Sequence, residues 1–127
     1  VREGPASGSG PALGPFETIR ARADFLRANS GIRIVTPAFI LLVHHSGRDC
    51  ARVGFTVSRK VGGAVARNRA KRRLREVARL AMRTVPVLPA DHVFIARPME
   101  AERPFAALLR DAEGALRRAA ARHMGAA

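Results

Sequence analysis

Between Lys60 and Arg79 the chain carries eight cations, Lys60, Arg67, Arg69, Lys71, Arg72, Arg73, Arg75 and Arg79, against one acid, Glu76. Such crowding of like charge is self-repulsive and calls for an anionic partner. On a helix over residues 64–83, with about 100° between successive side chains, Arg67, Lys71, Arg75 and Arg79 form an i, i+4 row that Asn68, Arg72 and Arg83 widen. Ala70, Leu74, Val77 and Ala81 form a narrow apolar stripe that tethers the helix to a core along one edge. Before it stands Val61-Gly62-Gly63, whose glycines permit unusual backbone shapes and leave amide N–H groups free where an anion is favoured. A merely solvated face would intersperse Glu with its cations, and this one does not. A DNA helix-turn-helix needs a second short helix ahead of the recognition helix, whereas a strand precedes this one. Basic strand-loop-helix surfaces read backbones and shapes, which points to structured RNA.

Bond-breaking chemistry is poorly provided for. A protein-borne metal nuclease needs carboxylates converging on one or two ions, yet the ten acids are scattered, with Glu100 and Glu102 close together in a loop beside Pro98. His44 and His45 are neighbours in a strand, so they point to opposite faces. Cys50, the only cysteine, stands between Asp49 and Ala51 as a small core residue and offers neither a disulfide frame nor a thiolate cluster, which fits a reducing cytosol. The chain reads as a binder with no catalytic residue and no metal of its own.

The elements that must position this basic helix are legible in outline. At 127 residues the chain makes one domain. No apolar run approaches the ~20 residues of a membrane span and no signal sequence opens the chain, so it reads as soluble and cytoplasmic. Twenty-three basic against ten acidic residues leave a formal charge of +13, which makes nucleic acid the default partner. An Arg-preferring, GC-rich genome and an anionic membrane surface are alternatives that composition alone does not separate. Residues 1–15, rich in Gly, Pro, Ala and Ser, predict a disordered leader. The opening Val, in place of Met, suggests a processed, trimmed or unusually initiated start. Ile19, Ala23 and Leu26 repeat at helical spacing ahead of Gly31, a helix terminator. Residues 37–45, 51–58 and 92–97 predict strands, with Val53, Phe55 and Val57 facing a core and Gly54, Thr56 and Ser58 facing outward. Pro104 opens a last helix that packs through Phe105, Leu108, Leu109, Ala112 and Leu116.

The stretch RVGFTVSRKVGGAVARNRAKRRLREVAR resembles the signature of the bacterial ribonuclease P protein subunit, whose mark is Arg-Asn-Arg followed by Lys-Arg, here Arg67-Asn68-Arg69 and Lys71-Arg72. The likeness extends outward through RADF at 22–25, PAFIL, DHVFIARP at 91–98 and PFAALLRDAEGALRR, and covers roughly residues 16–122. It implies an α+β fold: a single-domain α-β sandwich over residues 16–124, with a tail at 125–127, in the order α-β-β-β-α-β-α. A left-handed βαβ crossover would run through the Arg-rich helix, an exception to the usual handedness that the sequence itself does not show. The extra strand would come from residues 33–48, with Ile32–Thr36 the weak candidate.

The resemblance also implies a function: an RNA-binding subunit of ribonuclease P that assists a catalytic RNA in removing the 5′ leader from precursor tRNA. Mg2+ would be held mainly by the RNA subunit and none by the protein alone. The partners would be the RNase P RNA and precursor tRNA, without membrane or DNA. Ser58, Arg59, Lys60, Arg67, Asn68, Arg69, Lys71, Arg72 and Arg75 would contact RNA, and a cleft with Phe25, Leu42 and Thr56 would hold the single-stranded leader. Unstacked bases favour aromatic or flat cationic neighbours. Asn29 and Leu42 stand where some relatives carry aromatics, and the chain has no Tyr or Trp, so leader stacking is expected to be weaker. Core filling is the alternative role for Phe25, and Phe39, Phe55 and Phe94 are assigned to core. Two rival functions are an RNA-scaffolding protein, ribosomal or other, and a self-sufficient nuclease.

Overall fold

Four runs of β-branched, aromatic and aliphatic residues, alternating between two faces, build the sheet. The computed structural model describes residues 17–99 and 101–126, so the leader expected over 1–15 and Glu100 lie outside the described residues. The elements run β1 (Glu17–Thr18), α1 (Arg22–Ala28), β2 (Ile32–Val35), β3 (Phe39–His44), β4 (Arg52–Val57), α2 (Ala64–Thr84), β5 (Asp91–Ala96) and α3 (Phe105–Ala126). The α+β order expected from the resemblance is present, preceded by a two-residue strand. The weak candidate at Ile32–Thr36 is strand β2. The last helix runs on to Ala126, into the expected tail.

The five strands lie in the order β1-β4-β5-β3-β2. β3 pairs antiparallel with β2 and β5, while β4 pairs parallel with β1 and β5. α2 is therefore the crossover between two neighbouring parallel strands. Phe39, Leu41, Val53, Phe55 and Phe94 point to one face and form the main core with Leu74, Val77, Ala78, Ala81 and Met82 of α2 and Leu108, Ala112, Ala115, Leu116 and Ala119 of α3. Phe94 stacks against Phe55 and tilts against Phe39, with ring centroids 5.6 and 5.3 Å apart. All three therefore fill the core, as their sequence context predicts.

The other face is covered as well, which the alternation of β4 does not reveal. α1 lies on it and forms a second small core from Ile19, Ala28, Leu42 and Val93. A Cβ at Gly54 would come within 2.7 Å of the Phe25 ring, so this glycine lets α1 approach the sheet. The expected Ile19/Ala23/Leu26 stripe does not form: Ile19 is buried but precedes the helix, and Leu26 is 54% exposed. The helix instead presents Asp24, Phe25 and Ala28 to the sheet. Pro104 stands one residue ahead of α3, its carbonyl accepting from the Leu108 N–H, and Phe105 is exposed.

A buried ion pair pins α1 in place. Arg52 Nε and Nη2 donate to the two Asp91 oxygens at 2.8 and 2.6 Å, and Nη1 reaches Asp24 of α1 at 3.3 Å. The bond from Arg52, with another from Arg27, holds the Asp24 carboxyl below its usual range, and Asp91 raises the Arg52 guanidinium. One cation thus ties three segments that are distant in sequence.

Candidate nucleic-acid interface

α2 spans 21 residues, and its burial is confined to the second half: Leu74, Val77, Ala78, Ala81 and Met82 are buried. Its first turns project beyond the sheet, with Val65 84% exposed. The predicted stripe holds at Leu74, Val77 and Ala81, with Ala70 half-buried at its outer end. No side chain caps the N-terminus of α2, where Gly63 stands. Gly62 ahead of it has φ +145°, a left-handed backbone that disfavours other residues, and Ser58 accepts from the Lys60 N–H to close the turn Arg59–Val61.

The cations divide between two flanks. Asn68, Lys71, Arg72 and Arg75 are exposed and Arg67 is half-exposed. Among the described residues no carboxylate forms an ion pair with any of the four cations of this set. Arg75 lies over the Phe55 ring with its guanidinium carbon 5.9 Å from the centroid, which orients the charge without neutralising it. Arg59 and Lys60, in the turn that precedes α2, are exposed as well. Arg69 faces elsewhere: its Nε and Nη2 donate to Glu102 at 2.5 and 2.8 Å. Arg79, in the row predicted from spacing, is half-buried and paired with Glu76, whose carboxyl it holds below the usual range.

The cleft residues separate by burial. Phe25 is half-exposed at the edge of α1 and Thr56 is half-exposed on β4. Leu42, only 2% exposed, belongs to the small core beneath α1 and supplies floor, not surface. α1 has seven residues and covers one end of its face. The other end leaves Ile40 and Ile95 partly exposed in the cluster with Phe25, and Val35, the register partner of Ile40, largely exposed. These residues were not identified from sequence because alternation alone does not say how far a short helix reaches.

The expected candidates for chemistry stay apart. Among the described residues no three His, Cys, Asp or Glu side chains cluster to hold a metal ion. Cys50 is half-buried, and burial pushes its thiol up. His45 lies just beyond β3 and stacks on His123 of α3 at 5.0 Å. Among the described residues no helix is long and apolar enough to cross a membrane.

A family model described as Ribonuclease P matches residues 13–120. The chain belongs to the ribonuclease P protein family. It is 45% identical over 101 residues to the ribonuclease P protein component of Erythrobacter litoralis, covering 80% of this chain and 84% of the relative. It is 47% identical over 109 residues to that of Ruegeria pomeroyi, covering 81% and 86%. The RNase P protein from Thermotoga maritima superposes with a TM-score of 0.69 at 31% identity, over 80% of this chain and 96% of that one. The Staphylococcus aureus RNase P protein gives 0.68 at 29% identity, over 80% and 94%. Family and fold therefore agree with the resemblance carried by the Arg-Asn-Arg stretch.

Proposed function

We propose that this chain is the RNA-binding subunit of ribonuclease P, assisting a catalytic RNA in the endonucleolytic removal of the 5′ leader from precursor tRNA in the cytoplasm. The observation that carries this is the open cationic flank of α2, where Arg67, Lys71, Arg72 and Arg75 project from a helix whose buried residues all lie in its second half. Ser58, Arg59, Lys60 and Asn68 complete the RNA contact, and Arg69 adds to it from the opposite flank. Phe25, Thr56 and the partly exposed aliphatics beside them take the single-stranded leader, with Leu42 beneath. The chain's own groups bind and position. Mg2+ and the cleavage chemistry belong to the RNA subunit.

The test is reconstitution of cleavage with RNase P RNA and precursors carrying long or very short leaders. The chain should stimulate cleavage only with the RNA present. Phe25→Ala, once shown by melting to be folded, should weaken long-leader precursor binding by about 1–3 kcal/mol, the range for one base-aromatic contact, and leave short-leader binding nearly unchanged. Strong RNA binding without stimulation would favour a scaffolding protein, and cutting by the protein alone would favour a self-sufficient nuclease. Equal loss for both leader lengths would return Phe25 to the core.

A further inference from the structure

Arg69 and Arg73 stand about 200° and 240° round α2 from Arg67, at 100° per residue, and cannot share its surface. Both meet one carboxylate. Glu102 accepts two bonds from Arg69, and Arg73 Nη1 lies 3.8 Å from the same Oε2 while its Nη2 donates to the Arg103 carbonyl at 2.5 Å. A planar guanidinium gripping two oxygens, with a second guanidinium alongside, is also the geometry that holds a phosphate. Next to this cluster is a groove of about 200 Å³ whose lining includes Ala70, Leu74 and Leu108. Glu102 comes from the loop between β5 and α3, and the Arg69 and Glu102 side chains are 56% and 45% exposed. Water competes for such a pair and leaves it weak. Arg69 holds the Glu102 carboxyl below its usual range, so it is charged in the free protein.

We infer that Arg69 and Arg73 form a second phosphate site, on the far flank of α2, and that Glu102 fills it in the free protein until an RNA phosphate displaces it. This rests on the RNA-binding function proposed above and adds two features to it. The projecting half of α2 lies between two stretches of RNA, and the chain carries its own weak competitor for one of them.

The experiment compares affinity for RNase P RNA between the wild-type chain and Glu102→Gln, with Asp49→Asn as a control that removes the same charge from an exposed loop. Glu102→Gln should tighten binding by about two- to fivefold, the scale of an exposed ion pair, and more than the control does. In an Arg69→Ala background the gain should shrink to that of the control, because the competitor has lost its bidentate partner. A gain no larger than the control's, a gain that survives Arg69→Ala, or weaker binding by Glu102→Gln would each overturn the displacement. Failure of the wild-type chain to bind the RNA would overturn the underlying function instead. Melting curves of the variants confirm that each is folded.

Discussion

His92 points to the same face of β5 as Phe94, the one packed by α2 and α3, and is almost wholly buried, with Nδ1 2.9 Å from the Ala90 carbonyl. Burial pushes its pKa down to about 4, so the ring is neutral in the fold. Unfolded, the same ring takes up a proton near pH 6.5. Between these values the unfolded chain binds more protons than the folded one, so stability is full above about pH 6.5 and falls as the pH drops towards 4. The lowering from 6.5 to about 4 corresponds to about 3 kcal/mol. Urea unfolding across pH 4–7 should show this slope, and His92→Gln should flatten it. Asp24 acts in a lower window: its depressed carboxyl stabilises above the ordinary Asp pKa of about 4, and that contribution fades as the pH falls further. At this scale sequence was a partial guide. The aromatic core at Phe39, Phe55 and Phe94 followed from alternation. The difference between Phe25 at an edge and Leu42 beneath it depends on where a seven-residue helix stops.

Arg52 is the device that fixes α1 to the sheet. Arg52→Met would leave the Asp91 carboxyl, 1% exposed, without its partner, a change expected to cost about 3–5 kcal/mol. Equilibrium unfolding measures it, and adding Asp91→Leu should restore much of the loss, since a well-packed apolar pair can replace a buried ion pair. Among the elements, three strands, α2 and α3 were legible because each has a clear period. β1 was not, since two residues have no period; the Glu17 N–H to Ala51 carbonyl and Ile19 N–H to Val53 carbonyl bonds hold this edge in place. The inward position of Arg52 was equally hidden, because its partners Asp24 and Asp91 lie 28 and 39 residues away. The Arg69–Glu102 pair, 33 residues apart, escaped for the same reason. Periodicity assigned Arg69 to a basic helix but could not show which flank was already occupied.

Across the whole molecule the formal charge of +13 governs how the chain responds to salt. Mutual repulsion opposes compaction, and multivalent anions that gather at the basic surface favour the folded state. Sulfate should therefore raise the melting temperature more than chloride at equal ionic strength, read by calorimetry or circular dichroism. Equal shifts would mean that general screening accounts for the effect. The charge and the single-domain size were plain in the sequence. The strand order was not, because β-strand partners are chosen by packing across the whole chain.

That strand order has a consequence for biosynthesis. β5 sits between β3 and β4, yet it leaves the ribosome last of the five strands, and the register partners Arg52 and Asp91 are 39 residues apart. At about 5–20 residues per second, β4 waits roughly two to eight seconds for the strand that joins it to the β2–β3 hairpin. All of α2 is made during that wait. The nascent chain therefore displays its most cationic segment, beside a cellular machine made largely of RNA, before the sheet that anchors the segment can close.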